Sequence, residues 1–185
     1  MAVFVTQMSS SYYSAATHFS TNPKSCDNPE HYNTYIYQTC FSDYKTGMGV
    51  TYIFCHKDDD KDDNPENISI MGYITLKSSS LIKRVSDDSP IGSPAVEISE
   101  LAVDERFERN NIGTEMVSFA FNVVNELRKT ILGIQYMLVC SDPKSVGFYE
   151  NNGFRKVSEY FDEHIPRETW NQDCIPMLCR FPEID

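Results

Sequence analysis

Between residues 95 and 129 the hydrophobic pattern changes period once, and that change predicts more structure than any other stretch of the chain. AVEISELAV reads as an apolar-rich strand over 95–103, and the charged run DERFERNN follows it. Met116, Phe119, Ala120, Val123, Val124 and Leu127 then recur at three-and-four spacing, which predicts a helix over 112–129. Gly133 stands just beyond the helix end. A strand that runs through a turn straight into a helix aims unpaired first-turn amides at one point, and an anion suits that point.

Around this unit the pattern predicts further elements. VTYIFC at 50–55 and ISIMGYITL at 68–76 are β-rich runs bounding the acidic segment KDDDKDDNPEN, and together they predict an antiparallel hairpin. Upstream, over 9–46, Tyr and Phe recur at near-helical spacing, as in Tyr32, Tyr35, Ile36 and Cys40, which predicts one or two short helices. Residues 77–94 are rich in Ser, Asp, Gly and Pro and predict a loop beside a substrate cleft, with a short amphipathic turn around Leu81, Ile82 and Val85. YMLVC at 136–140 predicts a strand, and a helix follows from Pro143 to Asn152 with Gly153 as its stop. Closing strands are expected at 154–159 and 175–181. With no internal repeat or linker, this order predicts one mixed α/β domain over 1–185.

Composition narrows the picture. At 185 residues with 41% hydrophobic content, one well-buried domain is expected. No apolar run reaches the ~18 residues of a membrane span, and the start lacks a basic flank and a continuous apolar core, so a cytoplasmic protein without a membrane partner is expected. The six cysteines show no CxxC or zinc-site spacing, so reduced thiols without a catalytic role are expected, with Cys55 and Cys140 buried in strands. His18, His31, His56 and His164 show no pairing by spacing and are assigned to surface or packing. A calcium loop starting at Asp58 would need glycine where Asp63 stands and glutamate where Ser69 stands, so a solvated turn and no metal are expected. The formal charge of −11 disfavours nucleic acid as a partner; it either draws in a cationic acceptor or keeps the protein soluble.

The turn and the next ordered segment together carry a resemblance. VEISELAVDERFERNNIGTEM at 96–116 and SDPKSVGFYENNGF at 141–154 resemble the acyl-CoA site of the GNAT superfamily of N-acetyltransferases, in its short bacterial members. MGYITL and CIPMLCRF are similar to other strands of that family, so the likeness covers about residues 50–181. The family's turn, Q/R-x-x-G-x-G/A, falls on Glu108, Arg109, Asn110, Asn111, Ile112 and Gly113, where only the last glycine matches outright. Asn111 is the best non-glycine choice for a positive φ, while Glu108 must point outward, leaving Arg106 or Arg109 to offset phosphate charge. The second motif falls on Asp142, Ser145, Phe148, Tyr149, Gly153 and Phe154.

The resemblance implies a mixed, mostly antiparallel sheet flanked by helices, with a splayed central strand pair. It implies that Leu101, Ala102 and Val103 offer backbone groups to the pantetheine arm of acetyl-CoA, the cosubstrate. Arg109, Asn110, Asn111, Ile112, Gly113 and Thr114 would hold the pyrophosphate, with Asp142, Ser145 and Phe148 completing the cofactor-binding set. Direct transfer to an amine needs a deprotonated amine and a proton for the leaving thiolate. Tyr149 matches the family's proton donor, its alternative being helix-face packing beside Phe148. Glu97 matches the base of histone-acetylating members, with Glu100 as the nearby alternative and salt-bridging as the structural one. The two glutamates are three apart and so face opposite sides of a regular strand. Tyr73 and Tyr160 either line an acceptor pocket or pack in the core. The expected acceptor is a small molecule or protein amine, and a homodimer is left open. Some short relatives are toxins that acetylate aminoacyl-tRNA, an acceptor that the negative charge disfavours. The rival reading is a GNAT-shaped binding or regulatory protein with weakened catalysis, motivated by Glu108, Asn111, Asp142 and Ser145.

Overall fold

An N-terminal strand not anticipated from the sequence opens the chain: β1, Ala2–Gln7, pairs antiparallel with β2, Val50–Lys57, from Ala2 opposite Lys57 to Gln7 opposite Tyr52. The computed structural model describes residues 2–57, 67–84, 90–160 and 174–184. The acidic run after Lys57, Val85, His164 and the side chain of Tyr160 lie outside the described residues. The chain divides into two compact units, Met1–Lys77 with Ser99–Phe119 and Ser78–Ile98 with Ala120–Asp185. Strands β3, Ile68–Arg84, and β4, Pro90–Val103, and helix α4, Ile112–Thr130, each contribute to both units.

In the first unit the strand order is β1-β2-β3-β4. The expected hairpin is present as the antiparallel β2–β3 pair, running from Val50 opposite Leu76 to Lys57 opposite Ile68. Its register shifts at Phe54/Cys55, where Gly72 and Ile70 are the partners and Met71 is the extra residue of a bulge. The aromatic stretch upstream forms α1, Tyr13–Ala16, then α2, Pro29–Thr34, a π-helical turn at Tyr35–Thr39, and α3, Cys40–Thr46. Asn28 caps α2 by accepting from the His31 amide, Pro29 sits at its start, and Gly47 ends α3 at φ 73°. Tyr35, Ile36 and Cys40 face inward as their spacing predicts, and they pack with Ile53, Cys55, Ile70, Tyr73 and Ala102. Burial pushes the thiols of Cys40 and Cys55 up to about 12, which keeps them protonated. Tyr73 is fully buried, stacks on Tyr35 at 5.9 Å and donates its hydroxyl to the Tyr32 carbonyl at 2.9 Å, so it is a core residue.

With β5 at Tyr136–Ser141, β6 at Arg155–Lys156 and β7 at Ile175–Arg180, the order in the second unit is β3-β4-β5-β7-β6. β5, Tyr136–Ser141, lies parallel to β4, with Ala95–Ile98 opposite Tyr136–Val139, and antiparallel to β7, Ile175–Arg180. The β4–β5 register ends at Ile98 and Val139, whereas β4 runs on to Val103 and β5 to Ser141. The fold is thus a mixed, mostly antiparallel α/β arrangement with one parallel pair. Leu81, Ala95, Tyr136, Val157 and Leu178 form this unit's small core.

Several expectations need correction. No loop with an amphipathic turn occupies 77–84: β3 continues through the serines to Arg84, with Leu81 buried and Ile82 half-exposed in strand alternation. The strand expected at 154–159 shrinks to β6, Arg155–Lys156, before the short helix α6, Val157–Tyr160. Cys140 is neither buried nor reduced; it is bonded to Cys174, with Cα atoms 5.4 Å apart, a separation that suits a disulfide. Among the described residues no helix is long and apolar enough to cross a membrane.

Gly72 marks the tightest backbone approach in the first unit. A Cβ there would meet the Ala102 carbonyl oxygen at 2.9 Å and Met116 Cε and Sδ at 3.0 Å. The carbonyl cannot rotate away as a side chain can, so Gly72→Ala is expected to destabilise the protein by about 1–3 kcal/mol. Urea unfolding monitored by circular dichroism checks this, with a lowered midpoint at unchanged slope as the expected outcome.

Candidate active site

The end of β4 is fixed by a buried carboxyl group. Asp104, with no side-chain exposure, accepts at Oδ1 from the Arg106 amide at 3.0 Å and from Arg106 Nε at 2.7 Å. At Oδ2 it accepts from Arg106 Nη2 at 2.9 Å and from the Ser20 amide at 3.1 Å. Its own amide donates to the Met71 carbonyl at 2.9 Å, beside the bulge in β3. A single 3₁₀ turn, Glu105–Phe107, follows, and the chain then takes positive φ at Arg109, 64°, and Asn111, 62°. Asn111 therefore adopts the backbone expected where glycine stands in the family motif.

Glu108 does not face the turn's anion position unsatisfied, because its Oε2 accepts from Asn22 Nδ2 at 3.0 Å. Arg106 is engaged with Asp104, so of the two cations expected to offset phosphate charge Arg109 is the exposed one not held in that pair. The Glu115 amide donates to the Asn111 carbonyl at 3.0 Å as the first bond of α4, which places the amides of Ile112, Gly113 and Thr114 ahead of the helical ladder. With Thr114 and Asn110 exposed as well, these donors fit a polyphosphate. On β4, Ala102 is buried and Leu101 and Val103 are half-buried.

The remaining site expectations lie in the second unit. Asp142 accepts at Oδ1 from the Lys144 amide at 2.7 Å, and its carbonyl accepts from the Ser145 amide at 2.9 Å, so it caps the 3₁₀ turn Pro143–Ser145 that leads into α5, Val146–Asn151. Gly153, at φ 87°, supplies the expected stop. Tyr149 on α5 is 6% exposed and packs edge-to-face against Phe148 at 5.0 Å and Phe154 at 5.5 Å. Glu97 is half-buried and accepts from Ser79 Oγ at 3.0 Å.

Glu100 has a different environment. Its two carboxylate oxygens lie 3.1 and 3.0 Å from His31 Nε2, a pairing that the sequence reading of His31 as a surface or packing residue missed. Burial pushes the Glu100 carboxyl up, and the neighbouring His31 opposes that rise. His31 also lines an open cleft of about 300 Å³ with Asn28, Glu30, Thr34, Tyr35 and Thr39. Nothing near either residue in sequence signals this contact, which spans a separation of 69 residues. Among the described residues no group of three or more His, Cys, Asp or Glu is placed to hold a metal.

A mixed sheet whose strand β4 runs through an anion-ready turn into a long helix suits an acyl-CoA-dependent transferase. Residues 15–154 match the Acetyltransferase (GNAT) family, to which the chain belongs. Its chemistry is transfer of an acetyl group from acetyl-CoA to an amine. None of the curated proteins compared matches the sequence. Among solved structures the chain is similar to AtaTR bound with acetyl-CoA, at 18% identity and TM-score 0.72 over 96% of this chain and 93% of that one. A tyrosine-to-phenylalanine mutant of KacT is similar at 16% identity and TM-score 0.71, over 97% and 95%. AtaT complexed with acetyl-methionyl-tRNAfMet is similar at 19% identity and TM-score 0.70, over 98% and 95%. At these identities the likeness establishes the fold. It also shows that a protein of this fold engages a nucleic acid, so the net charge does not by itself support excluding one here.

The raised Glu100 carboxyl has a consequence for stability. Its folded form holds a proton to higher pH than its unfolded form, so the unfolded state binds fewer protons in that window and unfolding free energy falls as pH rises through it. Denaturant midpoints measured between pH 4 and 8 are expected to show this fall, and Glu100→Gln is expected to flatten it.

Proposed function

We propose that this acetyltransferase acts on a cationic amine, holding acetyl-CoA through the β4–α4 turn and protonating the leaving thiolate with Tyr149. One observation carries the reading: Asn111 takes the positive φ that the turn requires while Asn22 holds Glu108 in a hydrogen bond. Both features support a turn that still binds acetyl-CoA despite its two departures from the motif. Arg109, Asn110, Asn111, Ile112, Gly113 and Thr114 receive the pyrophosphate, with Arg109 adding the positive charge. The backbone of Leu101, Ala102 and Val103 aligns the pantetheine arm, and Asp142, Ser145 and Phe148 support it from the α5 segment. Glu97 remains the candidate base that the family resemblance implies. Its bond to Ser79 supports an ordered carboxylate and equally suits a structural role.

The acceptor class rests on charge. A net charge of −11 and a cleft lined by Glu30 and the Glu100-bound His31 favour a positively charged amine over a neutral one. A second reading, in which the amine belongs to an aminoacyl-tRNA, is favoured by the similar fold of AtaT in complex with acetyl-methionyl-tRNAfMet. That acceptor needs a local basic face to receive phosphates.

Thiol release from acetyl-CoA tests the reading, with spermidine, a lysine-containing peptide and methionyl-tRNA as acceptors. Turnover is expected with at least one, and Tyr149→Phe is expected to lower kcat by about 10²-fold or more with KM little changed. Wild-type turnover in the mutant would remove Tyr149 from the chemistry. Acetyl-CoA binding without release by any acceptor would favour the regulatory rival.

A further inference from the structure

The first unit holds a second arrangement of reactive groups that the family motifs do not include. His31 is half-exposed, with 47% of its side chain accessible, whereas the Glu100 side chain is only 15% accessible. One ring nitrogen, Nε2, faces both oxygens of that carboxylate. Nδ1 makes no hydrogen bond among the described residues, and the ring lines the cleft of about 300 Å³. The ring's position is set from several sides. Asn28 Oδ1 accepts from the His31 amide at 3.2 Å, Tyr32 meets the ring edge-to-face at 5.1 Å, and Tyr35 lies beside it at 6.1 Å. An isolated surface ion pair would not need a buried carboxylate, a capped backbone and two aromatic walls.

We propose that His31 accepts the proton of the acceptor ammonium at Nδ1, with Glu100 as a positioning residue that holds Nε2–H. The proposal rests on the amine-acetylation reading and assigns the proton acceptor to His31 in place of Glu97, whose carboxylate is bonded to Ser79. Imidazole is the side chain suited to exchanging a proton near neutral pH, and a carboxylate on the far nitrogen both selects the tautomer and stabilises the imidazolium that forms. Glu100 stands directly before Leu101, Ala102 and Val103, the strand residues assigned to the pantetheine arm, so the pair adjoins that stretch of β4 in sequence.

In the reaction His31 Nδ1 takes one proton from the ammonium, and the freed nitrogen lone pair forms the C–N bond as the C–S bond breaks. The thiolate takes up the second proton shed by nitrogen, and His31 releases its proton to water. The sum is ammonium plus acetyl-CoA giving amide, free CoA thiol and one proton. The other groups around the pair do not displace His31 from this role. Lys77 on β3 is a cation that favours the Glu100 carboxylate, Asp43 on α3 opposes it, and Tyr73 is a phenol that interacts with it. Tyr32 and Tyr35, also phenols, flank the His31 ring. Burial pushes the hydroxyls of Tyr35 and Tyr73 upward, so they stay protonated.

Two measurements on the full chain decide the proposal. In the first, kcat/KM for acetylation of spermidine, or of methionyl-tRNA if spermidine is inert, is followed from pH 5.5 to 9. His31→Gln is expected to lower the rate about 10²- to 10⁴-fold at neutral pH and to remove the acidic limb of the profile. Imidazole added to His31→Ala is expected to restore part of the rate, and Glu100→Gln to reduce it less. Wild-type rates and an unaltered limb in His31→Gln would overturn the proposal. In the second, ¹⁵N-histidine spectra, assigned with His31→Gln, are expected to show neutral His31 protonated at Nε2 and bare at Nδ1, with this preference weakened in Glu100→Gln. A proton on Nδ1, or an imidazolium throughout that pH range, would overturn the proposal without reference to turnover. If no amine is acetylated while the expected tautomer is seen, the acceptor reading fails and the pair stands.

Discussion

The buried carboxyl of Asp104 is the constraint on which the course of the chain after β4 depends. Four donor contacts converge on it, three from Arg106 and one from the Ser20 amide, while its own amide is tied to Met71. Removing a carboxylate from water is costly unless its oxygens are paired and hydrogen-bonded, and here both oxygens are. The arrangement does two things at once. It ends β4 at one defined residue, and it joins that end to the segment before α2 through Ser20, a tie repeated by the Glu105 amide on the Ser20 carbonyl at 2.8 Å. Asn22, two residues further along, is then placed to hold Glu108.

That placement gives the acidic residue of the turn a hydrogen-bond partner. A glutamate at the family's Gln or Arg position would repel a pyrophosphate, yet the charge is drawn into a hydrogen bond with Asn22. The missing glycine is met differently, by an asparagine at φ 62°, at modest backbone cost. Arg109 also sits at positive φ, 64°, where an unbranched side chain pays a small conformational penalty and remains exposed. The turn thus carries two positive-φ residues, Arg109 and Asn111, neither of them glycine.

How much of this was legible in the sequence follows from the range of the interactions. Helix α4 was readable almost to the residue because an amphipathic stripe is local, and Met116, Ala120 and Val124 are indeed buried. The conformation of Asn111 was readable because the demand for positive φ is local too. β3 was read too short because Ser78, Ser79 and Ser80 look like loop composition, whereas sheet pairing carries the strand on to Arg84. β1 carries only a weak signal, since Val3 and Val5 of AVFVTQ are exposed and the strand is held by its pairing with β2. The Asn22–Glu108 bond, the His31–Glu100 pair and the Cys140–Cys174 bridge span separations of 86, 69 and 34 residues, and no local pattern encodes them. Membership of the acetyltransferase family was legible from two ordered motifs, because backbone requirements around a phosphate leave a recognisable spacing even when residues change.

Acetylation through the altered turn requires that the turn still receive acetyl-CoA. Calorimetric titration of the chain with acetyl-CoA measures this. Saturable one-to-one binding is expected, weakened by added salt and strongly reduced for acetyl-pantetheine, which lacks the pyrophosphate. No heat up to millimolar acetyl-CoA, or equal affinity for the two ligands, would contradict it.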